Sequence, residues 1–243
     1  MRFPRIGNIF INFKSDALVV SFGGVGTSFL ITELSKYIVV NDATNSDGYK
    51  HLPLPPLTNG MPAPKILYIT GDPIIATLSL FRRGYQIIQS SKLQKYYFKK
   101  RIIPRGLTIE DYSMQQVDRL FLKRHFENWH SKYRYYETLV VKYEAIYSSL
   151  SDIKNFLDLP DAFIDEFPTE QKRASSIHHV SANCLEGLDK MYGDLKKEID
   201  QLPDCRILNP SKKPHTLISF CQPRYLFAFL VELKTMLYLM FKK

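Results

Sequence analysis

The stretch from residue 16 to residue 30, DALVVSFGGVGTSFL, constrains the fold of this chain more than any other. A short β-branched run, Ala17–Phe22, is followed by a glycine-rich turn, Gly23–Gly26. Thr27 and Ser28 come next and open an apolar segment with helical spacing. Glycines let backbone N–H groups turn toward an anion, and the start of a helix adds partial positive charge. The stretch therefore predicts a strand, a phosphate-binding loop and a helix.

This loop lacks the lysine of the motif that binds nucleoside triphosphates. That motif ends in Gly-Lys-Ser/Thr, whereas here Thr27 directly follows Gly26. The sequence thus argues against an ordinary ATPase or GTPase and still predicts a phosphate site. The predicted contacts of the phosphate are Gly23, Gly24, Val25, Gly26, Thr27 and Ser28.

Compact β-branched or aromatic runs alternate with helical patterns along the chain. The predicted strands are Ala17–Phe22, Tyr37–Val40, Ile66–Thr70 and Leu139–Tyr143. The predicted helices are Ser28–Ser35, Pro73–Ser90, Ile109–Tyr136, Ile146–Leu157, Ala182–Leu202 and Tyr225–Phe241. This alternation predicts an α/β protein with a three-layer P-loop-like fold, in which helices flank a central, mainly parallel sheet. We expect a single domain over residues 1–243, with a nucleotide-binding core at about 16–160 and a helical part at about 161–243.

The charge of the chain points to acidic ligands. The 243 residues carry a formal net charge of +9, from 33 basic and 24 acidic residues. Such a balance favours nucleotide phosphates, sulfated or uronic glycans, nucleic acid or an anionic membrane surface. The segment 82–105 contains basic but no acidic residues, which predicts a surface for an anionic or glycan acceptor. Nucleic acid is disfavoured, because the segment fits no nucleic-acid-binding module.

The ends of the chain carry no pattern of membrane insertion. The N-terminal MRFPRIGNIFINFK lacks the unbroken apolar stretch of a secretory signal, and Glu232 and Lys234 interrupt the apolar C-terminal run. We therefore expect a cytoplasmic or soluble protein without a transmembrane segment, while a secretory-pathway or viral origin stays open. The three cysteines form no CxxC pair, so neither a disulfide framework nor a zinc site is indicated.

Several segments resemble the sulfotransferase family that uses 3′-phosphoadenosine 5′-phosphosulfate (PAPS). Gly26-Thr27-Ser28 is similar to the end of that family's 5′-phosphosulfate loop, and Lys50-His51-Leu52-Pro53 to its Lys-Thr-His-Leu-Pro segment. Ile66–Pro73, continuing to Ser79, resembles the element that binds the 3′-phosphate. These matches run in the family's order within roughly residues 16–202. Further matches are His125-Phe126 with Trp129, Val140–Glu144, Phe156–Pro160 and Leu185–Leu202.

The resemblance implies a transferase that moves a sulfuryl group from PAPS to a hydroxyl or amine, with adenosine 3′,5′-bisphosphate as product and no metal required. His51 would be the catalytic base, because histidine titrates near neutral pH, and Lys50 would stabilise charge in the transition state. Ser79 would bind the 3′-phosphate, and Glu33 is a second candidate for the base. A glycan is the favoured acceptor, given the basic segment.

The chain departs from the family pattern at two charged positions. Gly24 stands where the family usually has a lysine or arginine in the loop, and Gly71 stands where the 3′-phosphate arginine is expected. Each such contact is a charge-assisted hydrogen bond, worth about 1.5–3 kcal/mol. The candidates for replacement cations are Arg82 and Arg83 in the predicted helix and Lys172 and Arg173 in the loop that follows Gln171.

Two other functions stay open on the sequence. The first is a transferase on the same scaffold with another donor, a nucleotide sugar or a nucleoside triphosphate, which the two missing cations favour. The second is a non-catalytic module that binds an anion or a nucleotide and holds a polyanionic partner on the basic segment. The sequence specifies neither the acceptor nor the oligomeric state.

Overall fold

A computed structural model describes residues 15–57, 63–97, 99–130, 136–170, 180–210 and 226–234. Within these ranges the strands are β1 (Ala17–Ser21), β2 (Lys65–Thr70), β3 (Thr138–Lys142) and β4 (Cys205–Leu208). They form one sheet in the order β1-β2-β3-β4. The first three strands run parallel, and β4 is antiparallel to β3. The sheet is therefore mainly parallel, as the sequence predicted.

Helices connect and cover the strands. The helices are α1 (Thr27–Leu34), α2 (Pro73–Arg82), α3 (Gln86–Leu93), α4 (Ile109–Gln115), α5 (Leu122–His130), α6 (Leu150–Leu157), α7 (Ala162–Asp165) and α8 (Ala182–Asp200). A one-turn 3-10 helix, Tyr143–Ala145, follows β3. Residues 226–234 are also helical, and the rest of the predicted helix Tyr225–Phe241 lies outside the described residues. None of the helices in the described ranges is both long enough and apolar enough to cross a membrane.

The helices lie on both faces of the sheet. Successive side chains of a strand point to opposite faces, so residues three apart also face opposite ways. Tyr68 of β2 stacks on His125 and Trp129 of α5. Lys65 of the same strand donates to the Phe156 carbonyl of α6 at 2.6 Å. Helices α5 and α6 therefore cover opposite faces, which confirms the three-layer α/β arrangement.

Burial on both faces explains which strands the sequence revealed. All five residues of β1 are buried, and so are five of the six residues of β2. Strands covered on both faces consist of nearly continuous apolar residues, and that is the pattern visible in the sequence. Strand β4 is a short edge strand whose residues are only partly buried or exposed, and its CRIL sequence carries no such pattern. It was therefore not predicted.

Local backbone geometry divides two of the predicted helices. The predicted helix Pro73–Ser90 is two helices, α2 and α3, because Gly84 between them has a left-handed φ of 70°. The predicted helix Ile109–Tyr136 is likewise interrupted where Gln116 and Phe121 have φ of 48° and 59°. Residues 131–135 lie outside the described part of the chain.

The predicted strand Tyr37–Val40 is reduced to one bridge, in which Val40 pairs in parallel with Ala17. Tyr37 instead belongs to the turn after α1, where its N–H donates to the Leu34 carbonyl at 3.0 Å. Its ring packs edge-on against Phe163 of α7, with centroids 5.8 Å apart. Packing against a helix thus overrides the strand propensity of this aromatic residue. The expectation of a single domain over residues 1–243 stays a prediction.

Asp72 begins α2 next to the loop that follows β1. Its carboxylate accepts from the N–H groups of Ile74 and Ile75 at 2.8 and 3.2 Å, and Pro73 occupies the first helical position. The same carboxylate lies 2.9 Å from the ammonium of Lys196 in α8. The side chain therefore combines a helix cap with a link between two helices.

We expect Asp72→Ala to lower the free energy of unfolding by about 1 kcal/mol, because two N–H groups lose their cap. Asp72→Asn keeps the cap and removes only a partly exposed ion pair, which contributes about 0–1 kcal/mol. Urea denaturation of the three proteins measures the difference. Equal losses in both variants would show that the ion pair, and not the cap, provides the stability.

Candidate functional site

The loop after β1 presents backbone N–H groups at the start of α1. Gly23, Gly24 and Gly26 have φ of 96°, 77° and 70°. No side chain caps α1, and its first internal hydrogen bond runs from the Leu30 N–H to the Gly26 carbonyl at 3.3 Å. The preceding N–H groups have no partner within the helix, and they form the positive end of its dipole. This end of α1 can bind an anion.

Two other elements hold the loop in place. A Cβ at Gly24 would lie 2.7 Å from the Ala76 carbonyl oxygen of α2, so only a glycine fits there without movement. A Cβ at Gly26 would collide with the ring of Tyr143, which follows β3. Val25, predicted as a phosphate contact, has its side chain buried. Position 25 can therefore offer a phosphate only its backbone.

Gln89 of α3 is a third support that sequence analysis did not identify. Its side-chain amide donates to the Phe22 carbonyl at 2.8 Å, and a Cβ at Gly23 would lie 2.7 Å from the same amide nitrogen. The residue is buried. A glutamine in a predicted amphipathic helix gives no sequence signal for this contact, which forms only when α3 packs on the loop.

The hydroxyl groups of Ser21 and Thr27 form hydrogen bonds within the loop. Ser21 Oγ accepts from the Gly23 N–H at 3.1 Å and lies 2.6 Å from Thr27 Oγ1. The Thr27 hydroxyl is therefore engaged within the loop, and its side chain is buried. Ser28 is exposed, and its Oγ accepts from the Lys50 ammonium at 2.9 Å.

Lys50 reaches the loop because the segment 41–51 packs along β1. The Asn41 side chain accepts from the Val19 N–H at 2.7 Å and donates to the Val19 carbonyl at 3.1 Å. The Lys50 carbonyl accepts from the Ser21 N–H at 3.1 Å. The Lys50 ammonium also donates to the Ala43 carbonyl. Burial, together with the positive charge of Lys92, lowers the pKa of Lys50.

His51 has one ring nitrogen fixed and one available. Nδ1 lies 2.9 Å from the Ser21 carbonyl oxygen, and because a carbonyl only accepts, Nδ1 carries the proton. Nε2 is then the unprotonated nitrogen of a neutral imidazole. Burial lowers the pKa of His51 from 6.5 to about 3, and Lys50, Lys92 and Arg83 act in the same direction. Without a ligand, the pKa of His51 thus lies well below the near-neutral value of a free histidine.

Helix α5 holds the chain that follows His51. The Trp129 indole N–H donates to the Leu52 carbonyl at 2.9 Å, and the Asn128 amide donates to the Pro53 carbonyl at 2.9 Å. Both side chains are buried. These two bonds fix the backbone next to His51. They give a structural role to Trp129, one of the residues that resemble the family in the sequence.

A cleft of about 620 Å³ opens above the loop. The residues that line it are Gly23, Gly24, Gly26, Thr27, Ser28, Phe29, Ala43, Thr44, Lys50, His51, Leu80, Arg83, Tyr85, Ile88, Gln89 and Lys92. Eight residues predicted from sequence, among them Lys50, His51 and Arg83, are therefore brought together. Ser79 is buried and Arg82 is exposed, and neither is among the lining residues. Lys172 and Arg173 lie outside the described residues.

Two cations enter the cleft from the α2–α3 region. The Arg83 Nε donates to the Ser79 carbonyl at 3.0 Å, and its guanidinium lies over the ring of Tyr85 at 5.5 Å. Lys92 is half-buried, and burial lowers its pKa. Sequence analysis placed Lys92 only in the basic segment, because its position in the cleft depends on how α3 packs.

The position expected for the 3′-phosphate arginine has neighbours of a different kind. A Cβ at Gly71 would lie 3.3 Å from both carboxylate oxygens of Glu144 and 3.2 Å from Val25 Cγ1. A long side chain at this position would need both neighbours to shift. The charged group nearest to a Cβ at Gly71, apart from its chain neighbours, is therefore the negative carboxylate of Glu144.

Glu33, the alternative base, lies on α1, outside the residues that line the cleft. Its carboxylate is 2.5 Å from the ammonium of Lys36. Within the ranges that the structure describes, no group of three or more histidine, cysteine or acidic side chains could hold a metal ion.

No protein-family model matches the chain, and no curated protein matches it. Among solved structures, the chain is similar to mouse sulfotransferase SULT7A1 complexed with PAP, with 16% sequence identity and a TM-score of 0.47. The match covers 79% of this chain and 91% of that chain. The function of the cleft therefore has to be inferred from its own geometry and from the sequence motifs.

We expect Gly24→Ala to destabilise the protein more than Gly106→Ala. Both glycines have left-handed φ, 77° and 79°, so both substitutions introduce about 1–2 kcal/mol of backbone strain. A Cβ at Gly106 has no atom within 4 Å, whereas a Cβ at Gly24 meets the backbone of α2. We expect about 1–3 kcal/mol of additional loss in Gly24→Ala, measured by urea denaturation. Equal losses would contradict the tight packing of the loop on α2.

Two imidazoles, that of buried His125 and that of partly buried His51, should make stability fall in acid. Burial lowers the pKa of both His51 and His125 from 6.5 to about 3. Between these values the unfolded chain binds protons that the folded protein does not, so the free energy of unfolding decreases as the pH falls from 6.5 toward 3. Removing His51 removes part of this dependence.

The measurement compares urea midpoints of the wild type and His51→Gln at about pH 7.5 and about pH 5. We expect a smaller drop between the two pH values in the variant. An unchanged drop would mean that His51 is protonated equally in the folded and unfolded states.

Proposed function

We propose that this protein transfers a sulfuryl group from PAPS to a hydroxyl or amine acceptor. The observation that carries the proposal is the convergence of three groups in one cleft: the uncapped start of α1, the ammonium of Lys50 and the imidazole of His51. An anion site, a cation and a candidate base are the groups that such a transfer needs. The sequence motifs that resemble the PAPS-dependent family point to the same donor.

The donor would bind through its 5′-phosphosulfate. The backbone N–H groups of Thr27, Ser28 and Phe29 at the start of α1 would donate to the phosphate and sulfate oxygens. Lys50 is held beside Ser28 and would neutralise negative charge on the leaving phosphate as the S–O bond breaks. Arg83 adds a second positive charge on the α2 side of the cleft.

His51 would act as the general base. The acceptor oxygen attacks the sulfur, the bond from sulfur to the phosphate oxygen breaks, and adenosine 3′,5′-bisphosphate leaves. The proton of the acceptor hydroxyl passes to Nε2 of His51, which the bond from Nδ1 to Ser21 keeps unprotonated. The same carbonyl then stabilises the imidazolium that forms, as Asp does for histidine in the hydrolase triads.

With a pKa of about 3, His51 would be a weak base. The proposed role therefore requires that the bound donor raise this pKa. In the unliganded protein, burial and the charges of Lys50, Lys92 and Arg83 disfavour the imidazolium. A bound phosphosulfate brings negative charge to the same cleft and offsets these cations. The pKa of His51 would then rise, so that the base becomes effective in the donor complex.

A donor without a 3′-phosphate is the second candidate. Gly71 provides no cation for such a group, and the carboxylate of Glu144 lies near it. A nucleotide sugar or a nucleoside triphosphate would use the start of α1 and Lys50 in the same way. The acceptor in either case is the anionic or glycan class that the basic segment 82–105 favours.

Titration of the protein with nucleotides, followed by thermal unfolding, tests the donor. We expect adenosine 3′,5′-bisphosphate to raise the melting temperature progressively with its concentration, because it binds only the folded state. Adenosine 5′-phosphate, ATP and a nucleotide sugar should give smaller shifts at equal concentration. No shift with the bisphosphate and a clear shift with ATP or the nucleotide sugar would favour the second candidate and exclude the first.

His51→Gln tests the base once the donor is known. We expect turnover to fall by about 10²- to 10⁴-fold, the usual contribution of a general base, with little change in bisphosphate affinity. Glutamine keeps an N–H that can donate to the Ser21 carbonyl. Unchanged turnover would remove His51 from the mechanism.

A further inference from the structure

Position 24 of the loop after β1 cannot carry a lysine in this fold unless α2 moves. Phosphate loops commonly place a lysine among their glycines, where it reaches the terminal phosphate. Here Gly24 has a left-handed φ of 77°, and a Cβ would lie 2.7 Å from the carbonyl oxygen and 2.9 Å from the Cα of Ala76. Both atoms belong to the backbone of α2, which cannot give way as a flexible side chain would. The cation that is missing at Gly24 therefore has to come from another position.

Lys92 of α3 occupies a suitable position. It lines the same cleft as Gly23 and Gly24, and it lies three residues after Gln89, on the same side of the helix. Gln89 in turn holds the Phe22 carbonyl at 2.8 Å. The contact between α3 and the loop thus fixes the helix that carries Lys92 along the same cleft.

The charge environment of Lys92 is unbalanced. Within the described part of the chain, no hydrogen bond or ion pair joins the Lys92 ammonium to another residue. Its charge is close enough to Lys50 and His51 to lower the pKa of both. No aspartate or glutamate is among the residues that line the cleft. Asp42 and Asp47 partly offset the charge of Lys50, whereas burial alone accounts for the lowered pKa of Lys92. A half-buried cation in a cleft lined by no acidic residue favours binding of an anion.

We propose that Lys92 supplies the cation that the glycine loop lacks, and that its ammonium binds the terminal oxygen atoms of a phosphate or sulfate group placed on that loop. Lys92 and Lys50 then contact the same anionic group from α3 and from the segment 41–51. This assignment rests on the proposed function for the identity of the bound group, and it makes Lys92 a residue that determines donor affinity.

Inorganic pyrophosphate is the probe, because it offers the anionic groups without a nucleoside. Isothermal titration compares the wild type with Lys92→Met and Lys92→Arg. We expect Lys92→Met to weaken pyrophosphate binding by about 10- to 100-fold, as for loss of one charge-assisted hydrogen bond, and Lys92→Arg to restore most of it. Lys197→Met is the control, because Lys197 is an exposed helical lysine of α8 outside the cleft, and its loss changes the net charge equally. We expect it to bind as the wild type does.

Several outcomes would overturn the assignment. Pyrophosphate affinity of Lys92→Met within about twofold of the wild type, or equal to that of Lys197→Met, would exclude Lys92 from the anion site. Absence of pyrophosphate binding by the wild type would exclude the site itself. Failure of the proposed function looks different: adenosine 3′,5′-bisphosphate would bind no more tightly than pyrophosphate, while Lys92→Met would still weaken both. Thermal unfolding of the unliganded variants checks that each is folded.

Discussion

The cleft depends on the packing of three left-handed glycines between neighbouring elements. Gly23 lies against Gln89, Gly24 against the backbone of α2, and Gly26 under the ring of Tyr143. The chain can turn from β1 into α1 in so little space only because these residues have no Cβ. This turn leaves the first N–H groups of α1 without a cap and directs them into the cleft. The same contacts exclude a side chain at Gly24 and Gly26, so a cation cannot project from these two positions.

The positive charge of the cleft therefore comes from outside the loop. Lys50 belongs to the segment 41–51, which the Asn41 side chain bonds to β1. Lys92 belongs to α3, which the Gln89 side chain bonds to the loop. Asn128 and Trp129 of α5 hold the chain just after His51. Each functional side chain is thus positioned by a buried polar contact to a backbone group, and such contacts are costly to break in a low-dielectric interior.

Much of the fold could be predicted, because its strongest signals are local. Each of three strands contains a continuous apolar run and lies within about one residue of its predicted position: Ala17–Ser21, Lys65–Thr70 and Thr138–Lys142. The predictions were wrong where a tertiary contact or a single dihedral angle decided the structure. Gly84 divides a long helical pattern, and Tyr37 packs on Phe163 instead of extending a strand. β4 was missed because an edge strand needs few apolar residues.

The sequence by itself determined the glycine loop and the strands around it, because both are local patterns. The roles of Lys50 and His51 were expected from the resemblance to the PAPS-dependent family, and packing of the segment 41–51 on β1 places them beside the loop. Only the tertiary structure decided that Gln89 contacts the loop and that Lys92 lines the same cleft, since the bond from Gln89 to Phe22 joins segments more than sixty residues apart in sequence. Only the tertiary structure decided the protonation state of His51, because burial and three neighbouring cations lower its pKa. Local pattern thus specifies a phosphate loop, whereas burial and long-range packing specify the charges around it.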